Sequence, residues 1–295
     1  MLEEVKPPGS HAPHRVVLDY EPPYEWDTLI AFLAARATPG VEIVEPHRYR
    51  RAVSVGDASG TIDVSAVEGR SSLALDVRMD DRTAIPQVVD RVRRMFDLEM
   101  RPSLLADHFA GDPLLAPRLA TRPGIRVPRA WDPFELAIRA VLGQQVSVRA
   151  ATTLATRLAT TYGTPLDRGD GLTRLFPRPA QLADAPLESS GVMPARARTI
   201  RALAAAVDDG RIALDPTGDG HAIAASLTAL PGIGPWTASY IAMRGFGEND
   251  AFPSGDLILQ RAAGGCTARA LEQRSQAWRP WRSYAVMLLW LAPLQ

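Results

Sequence analysis

Cysteine is almost missing from this sequence: Cys266 is the only one in 295 residues. One thiol closes no internal disulfide, builds no thiolate zinc site and holds no iron–sulfur cluster by itself, so those classes are excluded. Lysine is equally scarce. Lys6 stands alone and every other basic side chain is an arginine, a bias that a GC-rich genome explains. Its chemical consequence is that a Schiff base could form only on Lys6 or the N-terminus, both in a tail punctuated by Pro and Gly. Long apolar runs are also lacking. Nothing approaches the roughly 20 uninterrupted apolar residues of a bilayer span, and the first 14 residues carry Glu3, Glu4 and Pro7 where a signal peptide needs an apolar core. The expectation is a cytoplasmic protein with no membrane partner. Net charge is absent too, since 33 basic residues balance 33 acidic ones; a nucleic-acid partner would have to meet a local basic face.

What is present is an ordinary globular composition, too long for one small core, which points to two or three packed units. After the tail (1–14), a short strand is expected over 16–20. Pro22 and Pro23 break it before a helix over 26–37. Three alternating runs follow: Arg51, Val53 and Val55, then Ile62, Val64 and Ala66, then Leu73, Leu75, Val77 and Met79. Ile85, Val88, Val89, Val92, Met95 and Phe96 lie on the stripe of an amphipathic helix. Residues 15–100 therefore read as an α+β unit, an antiparallel sheet covered by two helices. Residues 101–130, rich in Pro and Gly, read as a connecting segment packing on the helical region. From there to residue 295 the pattern is all-α, with helices expected at 133–142, 147–161, 179–184, 194–208, 221–229, 236–245, 257–263 and 281–291. No repeat of 20 to 50 residues is visible, which argues against a solenoid.

The most informative stretch is 227–256. Leu230-Pro231-Gly232-Ile233-Gly234 connects two helical segments, and two glycines so close together allow a tight turn with outward-facing amides at a helix N-terminus, an arrangement suited to phosphate. A plain helix-helix turn would use the same residues. Trp236 and Tyr240 follow, four apart and so on one helix face. Then comes Phe252-Pro253-Ser254-Gly255-Asp256, where the aspartate opens the next helix. Taken one at a time, the aspartate reads as an N-cap and the aromatics as core.

Together, the hairpin, the helix after it and the aspartate resemble the helix-hairpin-helix DNA glycosylase superfamily. Within it the sequence is similar to the bacterial DNA-3-methyladenine glycosylase II, or AlkA-type, family. Further likeness lies in Tyr24-Glu25-Trp26, Phe32-Leu33-Ala34-Ala35-Arg36, Ala140-Val141-Leu142-Gly143-Gln144-Gln145-Val146-Ser147-Val148 and Pro280-Trp281-Arg282-Ser283-Tyr284-Ala285, so it covers nearly the whole chain. The resemblance implies a domain like half of a TATA-binding protein, followed by two helical subdomains with the site in the cleft between them. It implies that Asp256 is catalytic and that Trp236, Tyr240, Trp290 and Phe32 line a base pocket. Gly232, Ile233, Gly234, Thr237, Gln144, Gln145 and Arg244 are implied as DNA-binding. Gln145 matches the wedge that fills the gap left in the duplex, a position where the family commonly carries an apolar residue. Hairpin carbonyls of Thr228, Leu230 and Ile233 could hold a monovalent cation; no cofactor and no transition metal are expected.

The chemistry implied is excision of N-alkylated purines from double-stranded DNA by a monomeric, nucleoid-associated enzyme. A base inside a duplex is out of reach, so its nucleotide must be rotated out. Cationic purines such as 3-methyladenine and 7-methylguanine are attracted to aromatic faces and are already good leaving groups. As the bond to C1′ lengthens the sugar gains oxocarbenium character, which an ionised Asp256 would stabilise while orienting water. Bifunctional relatives carry a lysine at the position of Trp236, so strand cleavage is not expected here. The competing readings are a protein that only grips DNA through the hairpin, alkyl transfer onto Cys266, and a glycosylase for a neutral damaged base. Arg196, Arg198, Arg201, Arg244, Arg261 and Arg282 are the candidate phosphate contacts.

Overall fold

The computed structural model describes residues 12–291. The expected tail thus lies outside the described residues except for 12–14, and His14 already starts a strand. Period-2 alternation decides the first unit. β1 (His14–Asp19) precedes α1 (Trp26–Ala34), and β2 (Glu42–Glu45), β3 (Arg48–Val55), β4 (Ala58–Ala66) and β5 (Ser72–Met79) follow. The sheet is antiparallel throughout, in the order β1-β5-β4-β3-β2. Leu73, Leu75, Val77 and Met79 share the buried face and pack with Trp26, Leu29, Ile30 and Leu33 of α1. α2 (Ile85–Met95) adds Ile85, Val88, Val92 and Met95 to the same core. β2 is an addition to the expected strands; four residues are too few to show a period.

Residues 101–130 contain two helices where none was expected: α3 (Pro102–Phe109) and α4 (Ala116–Thr121). Each has a proline in its first two positions, where the missing N–H has no intrahelical partner to lose. Prolines that read as breaks are here helix starts. Leu105, Phe109, Leu115 and Leu119 are buried against the C-terminal part of the chain, and the indole of Trp278 donates to Asp112 at 2.6 Å.

The rest is helical: α5 (Pro133–Leu142), α6 (Val148–Tyr162), α7 (Pro179–Leu182), α8 (Pro194–Asp208), α9 (Gly220–Thr228), α10 (Pro235–Ile241), α11 (Leu257–Ala262), α12 (Ala268–Ser275) and α13 (Arg282–Trp290). α10 does not run as an α-helix to residue 245 but widens into a π-turn over Ala242–Phe246, a feature frequent near functional sites. α12 was not expected, because its sequence is largely polar and only Leu271 and Ser275 of it are buried. No helix among the described residues is long and apolar enough to cross a membrane.

The sheet unit meets the helical region through buried charge. Arg51 of β3 donates to Glu135 of α5 at 2.7 Å. Arg139 donates to Glu135 and to Glu42, each at 2.9 Å, and the Tyr49 hydroxyl donates to Glu42 at 2.6 Å. Burial alone would raise the Glu42 pKa, but the guanidiniums of Arg139 and Arg51, with the Tyr49 hydroxyl and Thr38 amide, outweigh it and hold the carboxyl below its ordinary value. A depressed folded pKa means that the stabilisation is present above the unfolded value, about 4.3, and is lost as pH falls through the folded one. Thermal melts between pH 7 and 3 should therefore stay level to about pH 5 and then drop. Glu42→Gln should flatten that drop, and an unchanged acid limb in the variant would show that the titration lies elsewhere.

Candidate active site

The turn between α9 and α10 is fixed by what surrounds it. Gly232 has φ +87°, and a Cβ there would come within 2.1 Å of the Thr199 hydroxyl, so a side chain is excluded both by conformation and by space. That hydroxyl donates to the Pro231 carbonyl at 2.9 Å. The Gln144 amide donates to the Gly232 carbonyl at 2.8 Å and to the Thr237 hydroxyl at 3.0 Å. Gln144 thus ties the 143–147 turn to the hairpin. Next to it Gln145 is exposed and adopts φ +54°, a left-handed conformation uncommon for a residue with a side chain. Ile233 differs from expectation: its amide is spent on the Leu230 carbonyl at 3.1 Å and its side chain is buried. The Leu230 carbonyl is correspondingly engaged, whereas those of Thr228 and Ile233 accept no backbone hydrogen bond.

Pro235 starts α10, and Trp236 and Tyr240 project from it on one face. Their rings stack nearly parallel, 8° apart in plane and 5.5 Å between centroids. Trp290 of α13 tilts against Tyr240 at 6.1 Å. The indole N–H of Trp236 donates to Asp256 Oδ2 at 3.0 Å, while Oδ1 accepts the amides of Ile258 and Leu259 at 2.8 and 3.0 Å. Asp256 is therefore both an N-cap and a group in the cleft. One oxygen holds the helix, and the other keeps lone-pair capacity beyond its single indole contact.

These four residues border a cavity of about 330 Å³ at the junction of the sheet unit, α5, α6, α10, α11 and α13. It lies at the lower end of the roughly 300–1,000 Å³ of small-molecule sites. More open hollows elsewhere are larger, but neither the one beside Pro22 and Pro102 nor the one along Thr152 and Thr156 sets a carboxylate against stacked aromatic rings. Cys266 is not part of the lining.

Besides Ile233, two expected site residues are placed otherwise. Phe32 does not line the cavity; it is buried, with the Arg36 guanidinium 3.7 Å and the Arg244 guanidinium 4.8 Å from its ring centre. Arg36 occupies the lining in its place. Arg244 is no phosphate contact: it is buried, donating to the Pro128 carbonyl at 2.7 Å and to the Tyr240 hydroxyl at 2.8 Å. Burial disfavours ionisation of that phenol, but Arg244 and Arg36 beside it prevail and hold its pKa below the ordinary tyrosine value. Of the other candidate phosphate contacts, Arg201 pairs with Glu188 and Arg282 is buried against Asp250. Arg196, Arg198 and Arg261 have no carboxylate at ion-pair distance among the described residues; Arg196 donates to the Gln144 carbonyl. Trp131, Glu135 and Arg139, not anticipated, also line the cavity.

Residues 15–132 match the AlkA N-terminal domain, and residues 138–277 match the HhH-GPD superfamily base excision DNA repair protein. The chain is 42% identical over 275 residues to the "Probable bifunctional transcriptional activator/DNA repair enzyme AlkA" of Mycobacterium tuberculosis, covering 91% of this chain and 55% of that protein. The chain thus spans about half the length of that relative. It is 34% identical over 276 residues to DNA-3-methyladenine glycosylase 2 of Escherichia coli, covering 92% of this chain and 95% of that protein. Among solved structures, a 3-methyladenine DNA-glycosylase from Archaeoglobus fulgidus shares the fold, with a TM-score of 0.80 at 20% identity over 94% of this chain and 97% of that one.

Proposed function

The chain belongs to the AlkA-type branch of the HhH-GPD base excision repair superfamily, and from that premise we propose that it is a monofunctional DNA glycosylase releasing N-alkylated purines from duplex DNA. The single observation that carries the reading is Asp256, held by the Trp236 indole at 3.0 Å at the edge of a cavity lined by stacked rings, one helix away from a glycine hairpin.

The hairpin and the arginines without a carboxylate partner, Arg196, Arg198 and Arg261, grip phosphates, which explains how a chain of zero net charge can bind DNA. A monovalent cation would fit on the free carbonyls of Thr228 and Ile233 and would add positive charge for a phosphate. Rotation of the damaged nucleotide brings its base over Trp236, Tyr240 and Trp290. A cationic purine gains roughly 0.5–2 kcal/mol per good ring contact. Gln145, the exposed residue at the tip of the tied turn, stands ready to fill the vacated space. As the glycosidic bond stretches, the Asp256 carboxylate faces positive charge growing at C1′ and water attacks there. Trp236, standing where a lysine would act in bifunctional relatives, offers no amine, so the strand stays whole. The protein acts as a monomer.

Incubation with a duplex carrying one 7-methylguanine should yield free base and a strand that breaks only after alkali. Breakage before alkali would contradict the monofunctional reading, and absence of free base would contradict the glycosylase reading itself.

A further inference from the structure

We propose that Gln144 is a positioning residue: it locks the turn that carries Gln145 to the hairpin, so that capture of the phosphate backbone by the hairpin and entry of the Gln145 side chain into the duplex are a single event. This role rests on the glycosylase reading of the cavity and adds to it the part that converts DNA binding into rotation of the nucleotide.

The side-chain nitrogen of Gln144 carries two hydrogens, and both are spent inside the protein, on the Gly232 carbonyl at 2.8 Å and on the Thr237 hydroxyl at 3.0 Å. Neither is left for a base or a phosphate. Thr237 is only 3% exposed and has no surface to offer DNA. Two residues that the resemblance assigns to DNA thus hold each other. Among the described residues no other hydrogen bond joins 143–147 to 230–237, so one side chain sets the distance between the wedge turn and the hairpin. α8 braces both from one side: Arg196 donates to the Gln144 carbonyl, and the Thr199 hydroxyl donates to the Pro231 carbonyl at 2.9 Å.

The wedge turn needs that support. Gln145 is exposed and sits at φ +54°, a conformation that a residue with a side chain keeps only where its surroundings impose it. The neighbouring bonds do not reach the hairpin. The Gly143 amide donates to the Arg139 carbonyl at 3.0 Å and ends α5, and the Ser147 hydroxyl accepts the Ala150 amide at 3.2 Å and starts α6. Without the Gln144 tie, hairpin and wedge would meet the duplex independently, and the ordering of one against the other would be charged to the rotation step. With the tie, that ordering is complete before DNA arrives, which is the use of preorganisation.

The test is a double-mutant cycle on a duplex carrying one 7-methylguanine, read as single-turnover release of the base and as the brightening of a 2-aminopurine stacked beside the lesion, which reports opening of the stack. Gln144→Met keeps the length of the side chain and removes both bonds; release should fall by about 10- to 100-fold, and the brightening should weaken with it. Thr237→Val, which removes one of the two bonds, should cost about 3- to 10-fold. Gln145→Gly removes the wedge side chain at a φ that glycine adopts freely, and adding Gln144→Met to it should cost less than about 3-fold more, because a residue that acts only by placing the wedge has nothing left to place. Losses that multiply in the double variant would mean that Gln144 touches DNA itself or supports the fold at large. That result, an undiminished release by Gln144→Met, or a slower release with undiminished brightening would overturn the assignment while leaving the glycosylase reading intact. No release of base by the wild type would overturn both.

Discussion

Glu135→Ala should lower stability by roughly 3–5 kcal/mol, about 6–20 °C in melting temperature for folded units of this size. Glu135 sits on α5, whose residues are almost all buried, and accepts from Arg51 and Arg139 together. Arg51 is 3% exposed. With the carboxylate gone its remaining hydrogen bond is the one to the Ala52 carbonyl at 3.1 Å, and a guanidinium without its counter-ion stays in the interior. The loss is a desolvation effect more than a lost attraction, so removing both charges should be far milder. Arg51→Met combined with Glu135→Leu leaves Arg139 with Glu42 and should recover at least half of the lost stability. Circular dichroism melts decide the matter. A single variant within about 1 kcal/mol of the wild type would mean that the network is solvated and does not hold the sheet unit to the helices.

None of those contacts was legible in the sequence, and the reason is distance along the chain. Arg51 and Glu135 are 84 residues apart, and nothing local distinguishes an arginine that turns inward from one in solvent. What was legible had a period or a motif. Leu73 to Met79 alternate cleanly and form a central strand; Glu42–Glu45 is too short to alternate and escaped notice. α3 and α4 were hidden because Pro102 and Pro117 mark helix starts and resemble helix stops. In the site, Trp236, Tyr240 and Asp256 stand out by their spacing after the hairpin, their roles and the choice of Trp290 come from the family resemblance, and the fold brings all four to one cavity. Arg244 was assigned to phosphate although the rule that pairs Trp236 with Tyr240 also pairs Tyr240 with Arg244, four residues on. The same rule applied to Phe32 would have pointed to Arg36, which is the one of the two that reaches the cavity.

Asp256→Asn should reduce base release under single-turnover, enzyme-saturating conditions by about 10²–10³-fold or more. The substitution is chosen because asparagine is as good an N-cap as aspartate. An amide oxygen can still receive the Ile258 and Leu259 amides, which the Oδ1 atom now accepts at 2.8 and 3.0 Å, so α11 and the melting temperature should be preserved. What disappears is the negative charge proposed to face C1′, together with the Oδ2 acceptor of the Trp236 indole N–H, which an amide nitrogen does not replace. Affinity for the lesion duplex should be unchanged, because the hairpin and the arginines proposed to grip phosphate are untouched. If release persisted at the wild-type rate, Asp256 would be only a helix cap and the DNA-gripping alternative would gain ground.

The most direct measurement concerns the charge itself. A duplex in which the target sugar is replaced by a protonated pyrrolidine imitates the cationic sugar, and its uncharged tetrahydrofuran counterpart has nearly the same shape. Wild-type protein should bind the cationic duplex at least about 10²-fold more tightly, as transition-state mimics are bound, and Asp256→Asn should lose most of that preference. Equal affinity of the wild type for the two duplexes, or a preference that survives in Asp256→Asn, would contradict the account.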